Sequence, residues 1–116
     1  MTRKQRHETY ENCPIEAALD VIGGKWKASL LFSVSEETRR FSALLRLFPK
    51  ISQRTLTNQL RELEADGLIH RKVYAQVPPK VEYSLTDRGR DLVPALVSLA
   101  TWGTAYAVSK RRAAPV

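Results

Sequence analysis

RRFSALLRLFPKISQRTLTNQLR, the stretch from Arg39 to Arg61, carries six basic side chains and no carboxylate. Two short apolar periodicities run through it, separated by a turn. Ser42 is placed to cap a helix bearing Leu44, Leu45 and Phe48, which Pro49 ends, and Lys50-Ile51 makes the turn. Ser52 then caps a second helix in which Leu56, Leu60 and Leu63 recur at i, i+4 and i+7. At about 100° per residue, burying those leucines turns Arg54, Asn58 and Arg61 to the opposite side, with Thr57 close beside them. The pattern predicts a helix-turn-helix that faces a polyanion. Arginine can pair with guanine O6 and N7 and asparagine with adenine N6 and N7, so this face suits a major groove.

Downstream, Leu68 to Tyr74 and Lys80 to Leu85 alternate like strands around Ala75-Gln76-Val77-Pro78-Pro79, predicting a two-stranded hairpin with a proline-stiffened tip. A helix-turn-helix followed by a hairpin is a winged helix. Asp66-Gly67 closes the second helix, with Gly67 at the left-handed position. Gln53 and Thr55, at the helix start, are expected to reach phosphates or bases; Arg39, Arg40, Arg46 and Lys50 are expected at phosphates. Lys72, Gln76 and Lys80 form the wing's contribution, and His70 reads as a solvated strand residue.

Outside this unit, residues 1–12 are polar and predict a flexible segment. Pro14 opens a helix with Ile15, Ala18, Leu19 and Ile22 on one face; Gly23-Gly24 breaks it, and a second helix runs from about Lys25 to Val34 with Trp26 as an apolar anchor. An Arg40-Phe41 extended segment precedes the helix-turn-helix. Thr86 caps a last helix whose stripe of Leu92, Leu96, Leu99 and Ala100 is widened by Val93, Val97, Trp102, Tyr106 and Val108. That surplus marks Leu96, Leu99, Trp102 and Tyr106 as candidate dimer contacts. The expected fold is therefore mainly α with a small β hairpin, a winged helix-turn-helix flanked by N- and C-terminal dimerisation helices. It occupies residues 13–110, with 111–116 as a basic tail, and Lys110-Arg111-Arg112 at their junction reads as a solvated helix end.

Composition narrows the function. With 116 residues, 43% hydrophobic, the chain supports a single core. A net charge of +7 and a pI near 9.9 favour an acidic partner, and the acids fall mainly in Glu8–Glu16, at Glu36-Glu37 and in Glu62–Asp66, flanking the basic stretch. Neither a membrane span nor a signal-like segment is visible, so the expected location is the cytoplasm. One cysteine, Cys13, and two histidines, His7 and His70, exclude a disulfide framework and make a poor metal site. Without a phosphate-cradling glycine loop or a nucleophile with its base, no enzyme and no cofactor is expected. A protein-binding winged helix is the serious competitor to DNA binding.

The chain resembles the HxlR family of bacterial winged-helix transcriptional regulators, related in fold to the MarR group. The resemblance rests on Cys13-Pro14, Ala18-Leu19-Asp20-Val21-Ile22-Gly23-Gly24-Lys25-Trp26, Arg40-Phe41-Ser42, Ile51-Ser52-Gln53-Arg54-Thr55-Leu56-Thr57, the run from Leu60 to Ile69, the run from Pro78 to Thr86, and Gly89. It implies a homodimer, built by the terminal helices, that lays two recognition helices into successive major grooves of a roughly palindromic operator. It also implies a repressor or activator of nearby genes, with Arg54 and Asn58 as recognition positions and Lys80 as a wing position. Several family members respond to aldehydes, quinones, hypochlorite or disulfide stress.

In redox-responsive relatives a cysteine at the position of Cys13 is the reactive one. Here it precedes Pro14 at a helix start, where orphan amides favour a thiolate, while Glu11 and Glu16 oppose it. Two readings stay open: a sensing thiol, or an inert cysteine in a regulator whose small effector binds an apolar pocket at the dimer interface, near Trp102, Tyr106, Phe32 and Tyr10.

Overall fold

The computed structural model describes residues 13–108. The expectations for segment 1–12, for the tail 111–116, and for His7, Tyr10 and Lys110-Arg111-Arg112 lie outside the described residues.

Helix α1 spans Pro14–Ile22, with Pro14 at its first position, where no intrahelical amide is lost. Of its expected apolar face only Ile22 is buried, while Ile15 and Leu19 stay open. Gly24 adopts φ 91°, and Trp26 becomes the N-cap of α2, Lys27–Glu36. The helix thus starts two residues later than the expected Lys25, because the left-handed Gly24 and the non-helical Trp26 use up the chain between.

Arg39–Arg40 form β1 and lead directly into α3, Phe41–Leu47. Arg40, held extended, is therefore the N-cap, and the expected cap Ser42 falls inside the first turn. The extended segment likewise ends at Arg40 and excludes Phe41. Phe48 leaves the helix because the residue before a proline avoids the α region, and its amide still donates to Leu44 O at 3.0 Å.

Helix α4 spans Gln53–Ala65, and Ser52 Oγ accepts from the Thr55 amide at 3.0 Å, as the sequence predicts. At the other end Gly67, φ 77°, permits a Schellman closure: Leu68 N donates to Leu63 O at 3.0 Å and Gly67 N to Glu64 O at 2.9 Å. Strands β2, Ile69–Tyr74, and β3, Lys80–Leu85, form the expected hairpin. The sheet nevertheless has three strands in the order β1-β3-β2, since Arg39 pairs with Tyr83 and Arg40 with Glu82. A two-residue strand gives too short a pattern to read in sequence, yet it ties the wing to the entrance of α3.

Thr86 caps α5, Asp87–Trp102, accepting from Gly89 N at 3.0 Å and donating to Gly67 O at 2.6 Å. A π-helical turn, Gly103–Val108, continues it. Beneath these elements Leu30, Leu31, Leu44, Leu56, Leu60 and Leu63 are fully buried. Each contributes roughly 1.5–3 kcal/mol through removal from water, and together they join α2, α3 and α4 in one core.

Candidate nucleic-acid interface

Because Leu56, Leu60 and Leu63 face the core, Arg54, Asn58 and Arg61 are exposed on the far side of α4. Gln53 is exposed at its start, and Lys50 in the turn before it. Three hydroxyls of this region already have local partners. Ser52 Oγ, besides accepting from the Thr55 amide, donates to Thr55 Oγ1 at 2.9 Å, while Thr57 Oγ1 donates to Gln53 O at 2.9 Å. Ser52 and Thr55 thus fix the helix start first of all.

Between α4 and the wing lies a cleft of about 510 Å³ lined by Arg40, Thr57, Arg61, Arg71, Gln76 and Lys80, among others. Four basic residues line it, drawn from β1, α4, β2 and β3. Glu64 also lines the cleft, so the basic surface is not free of acid once the chain is folded. Arg71 is a residue that sequence reasoning passed over. Strand alternation from buried Ile69 marks it for the same side of the sheet as Tyr83, its register partner, and both line the cleft.

The end of the hairpin next to its loop is an ordered cluster. Lys72 and Lys80 place their ammonium groups 4.9 and 4.5 Å from the Tyr74 ring centroid, and Tyr74 Oη donates to Glu82 Oε1 at 2.8 Å. Lys80 Nζ lies 3.5 Å from Glu82 Oε2. The tyrosine hydrogen bond, with Lys80 and Arg40 adding positive potential, holds the Glu82 carboxyl below the usual carboxylate range.

Arg39 is not brought to this surface. Its side chain is only 17% exposed, Nε donating to Ser33 O at 3.1 Å and Nη1 to Glu37 Oε1 at 2.8 Å, so it braces the end of α2. Its neighbour Arg40 is exposed and lines the cleft, and its pairing with Glu82 sets it on the opposite sheet face from Arg39. His70 is exposed, as expected.

On α5, Leu96 packs into the protomer's own core and is not open to a partner, because its position on the helix faces α2 and α3. Leu99, Trp102 and Tyr106 are exposed, the last two at 60% and 63%, with their rings 5.5 Å apart. Phe32 lines a separate groove of about 520 Å³ with Phe48, Leu47, Leu96 and Leu99; Trp102 and Tyr106 do not line it. Cys13 is half-buried at the N-cap of α1. Among the described residues no cluster of histidine, cysteine or carboxylates is arranged to hold a metal, and no helix is long and apolar enough to cross a membrane.

The arrangement defines a winged helix-turn-helix of MarR-like fold. More narrowly, residues 21–111 match the HxlR-like helix-turn-helix family, and the chain belongs to it. It is 56% identical over 99 residues to the Bacillus subtilis HTH-type transcriptional regulator YdeP, covering 85% of this chain and 77% of the relative. Among solved structures it is similar to the redox regulator HypR. The reduced form superposes with a TM-score of 0.78 at 54% identity, covering 84% of this chain and 93% of HypR, and the oxidized form with 0.76 at 56%, covering 80% and 96%. The reduced form of the B. subtilis transcriptional regulator YodB gives 0.68 at 29%, covering 81% and 92%. The chain is thus a DNA-binding transcriptional regulator rather than an enzyme.

Proposed function

We propose that the protein is a homodimer that binds a roughly palindromic duplex operator and changes its affinity under redox or electrophile stress. The observation that carries the DNA reading is the outward face of α4, where Arg54, Asn58 and Arg61 stand opposite three buried leucines. Arg54 and Asn58 read base edges, with Thr57 and Gln53 beside them; Arg40, Lys50, Arg61 and the wing residues Lys72, Gln76 and Lys80 hold the backbone. A strand lying between a major groove occupied by α4 and a minor groove touched by the wing passes along the cleft lined by Arg61 and Arg71, which moves Arg61 from base reading to phosphate binding and adds Arg71. Leu99, Trp102 and Tyr106 supply the apolar surface of the dimer.

The stress response is supported by the likeness to HypR, solved in oxidized and reduced forms, and to YodB, solved in reduced and diamide-treated forms. With one cysteine per chain, a protein disulfide joins two Cys13 thiols across the dimer. The two thiols release two protons and two electrons to diamide or a peroxide, and the new S–S bond resets the spacing of the two α4 helices. Selection of bound duplexes from a random pool tests the first claim: enrichment of a two-fold symmetric site is expected, and failure to enrich any sequence overturns it. Operator binding before and after diamide treatment of the wild type and Cys13→Ser tests the second, since unchanged binding by fully oxidised wild-type protein removes the sensor.

A further inference from the structure

None of Gly23, Gly24, Lys25 and Trp26 lines the cleft beside α4, yet the path of this block is tightly constrained. A Cβ on Gly23 would lie 2.1 Å from Leu19 O, and Gly24 holds φ +91°. The chain leaving α1 therefore follows one narrow route instead of a loose linker. It delivers two consecutive side chains to the two helices of the helix-turn-helix. Trp26 meets Phe48, the residue that closes α3, edge to face at 6.2 Å and 82°. Lys27, 6% exposed in its side chain, places Nζ 2.5 Å from Glu62 Oε1 on α4.

Leucine packing is non-directional and tolerates small rotations of a helix, whereas a buried ammonium does not tolerate losing its carboxylate. A 20° turn, for illustration, carries a side-chain tip about 2 Å around a helix whose radius with side chains is roughly 5–6 Å, enough to break a contact of this kind. The same turn displaces Arg54 and Asn58 from any base edge they contact. We propose that Lys27 is a positioning residue: through Glu62 it sets the rotation of α4 about its axis, and the Gly23 to Lys27 segment couples the placement of α1 to that rotation. This rests on reading α4 as the helix that enters DNA. It also gives a disturbance at Cys13, the N-cap of the same α1, a route through that helix toward the recognition surface.

The test uses the full-length dimer. Lys27→Met keeps the stem and removes the buried charge, leaving Glu62 where it can be solvated. The expected melting temperature is close to wild type. Affinity for the selected operator falls about tenfold or more, while affinity for a scrambled duplex of equal length stays within about twofold. In DNA-free protein, relaxation-dispersion NMR is expected to show new microsecond-to-millisecond exchange in α4 and α1 of the variant, with α5 unchanged. Wild-type operator selectivity, or a quiet α4, overturns the proposal. Should Lys27→Met fail to fold, Glu62→Gln is taken through the same two measurements with the same criteria. A wild-type protein that discriminates no duplex refutes the DNA reading instead, and the relaxation measurement still decides the coupling.

Discussion

Tyr74 donates its phenolic hydrogen to Glu82 Oε1 at 2.8 Å across the hairpin, in the same cluster in which Lys72 and Lys80 lie over its ring. One aromatic side chain thereby collects two cations and one carboxylate beside the loop of the wing. The wing is consequently braced where it carries Lys72 and Lys80.

Because Glu82 is held below the usual carboxylate range by the Tyr74 hydrogen bond first and by Lys80 next, the folded state binds its proton more weakly than the unfolded chain does. The associated stability is present above the unfolded-state pKa and is lost as pH falls through the lowered folded value. A carbon-detected NMR titration is expected to place the Glu82 midpoint below that of an ordinary glutamate, and Tyr74→Phe is expected to raise it. A Glu82 midpoint that Tyr74→Phe leaves unmoved would show the hydrogen bond to be idle.

Ser52→Ala removes the acceptor of the Thr55 amide at the start of α4. The expected loss is about 1 kcal/mol, within the range of about 0.5–2 kcal/mol for such caps, seen as a lower denaturant midpoint with an unchanged slope. Ser42→Ala, by contrast, is expected to be nearly neutral, since Arg40 and not Ser42 begins α3.

Base-reading and backbone-holding residues separate by salt and sequence. Arg54→Ala and Asn58→Ala are each expected to cost about 1–3 kcal/mol on the operator and to relax preference at particular base positions. Arg71→Ala and Lys50→Ala are expected to weaken every duplex alike, and each lowers the slope of log K against log salt by about 0.9. Fluorescence anisotropy across a salt series distinguishes the two patterns.

Trp102→Ala and Tyr106→Asp act on the exposed end of α5 and on the π-helical turn that continues it, outside the protomer core. Weakening of the dimer by about 2 kcal/mol or more is expected for Trp102→Ala, measured by sedimentation equilibrium with helical content preserved. Leu96→Ala is expected to lower protomer stability instead, by about 2–5 kcal/mol, because that side chain belongs to the core.

Much of the molecule is legible in the order of its residues, for reasons local in sequence. Leucine spacing sets α4, Ser52 sets its start, Gly67 its end, and Thr86 the start of α5. Each depends on groups within a few residues of one another, so periodicity and capping chemistry suffice. The outward direction of Arg54, Asn58 and Arg61 follows from the same helical period.

Other features depend on segments meeting across the fold, and no local pattern encodes them. The pairing of β1 with β3 sets Arg40 beside Glu82 and Arg39 toward α2, although the two residues are adjacent and alike. Arg71 and Glu64 enter the cleft only once the hairpin folds beside α4. Lys27 and Glu62, 35 positions apart, become partners only because a common core brings α2 against α4. Periodicity fixes which side of an element a residue occupies; long-range packing decides what stands opposite it.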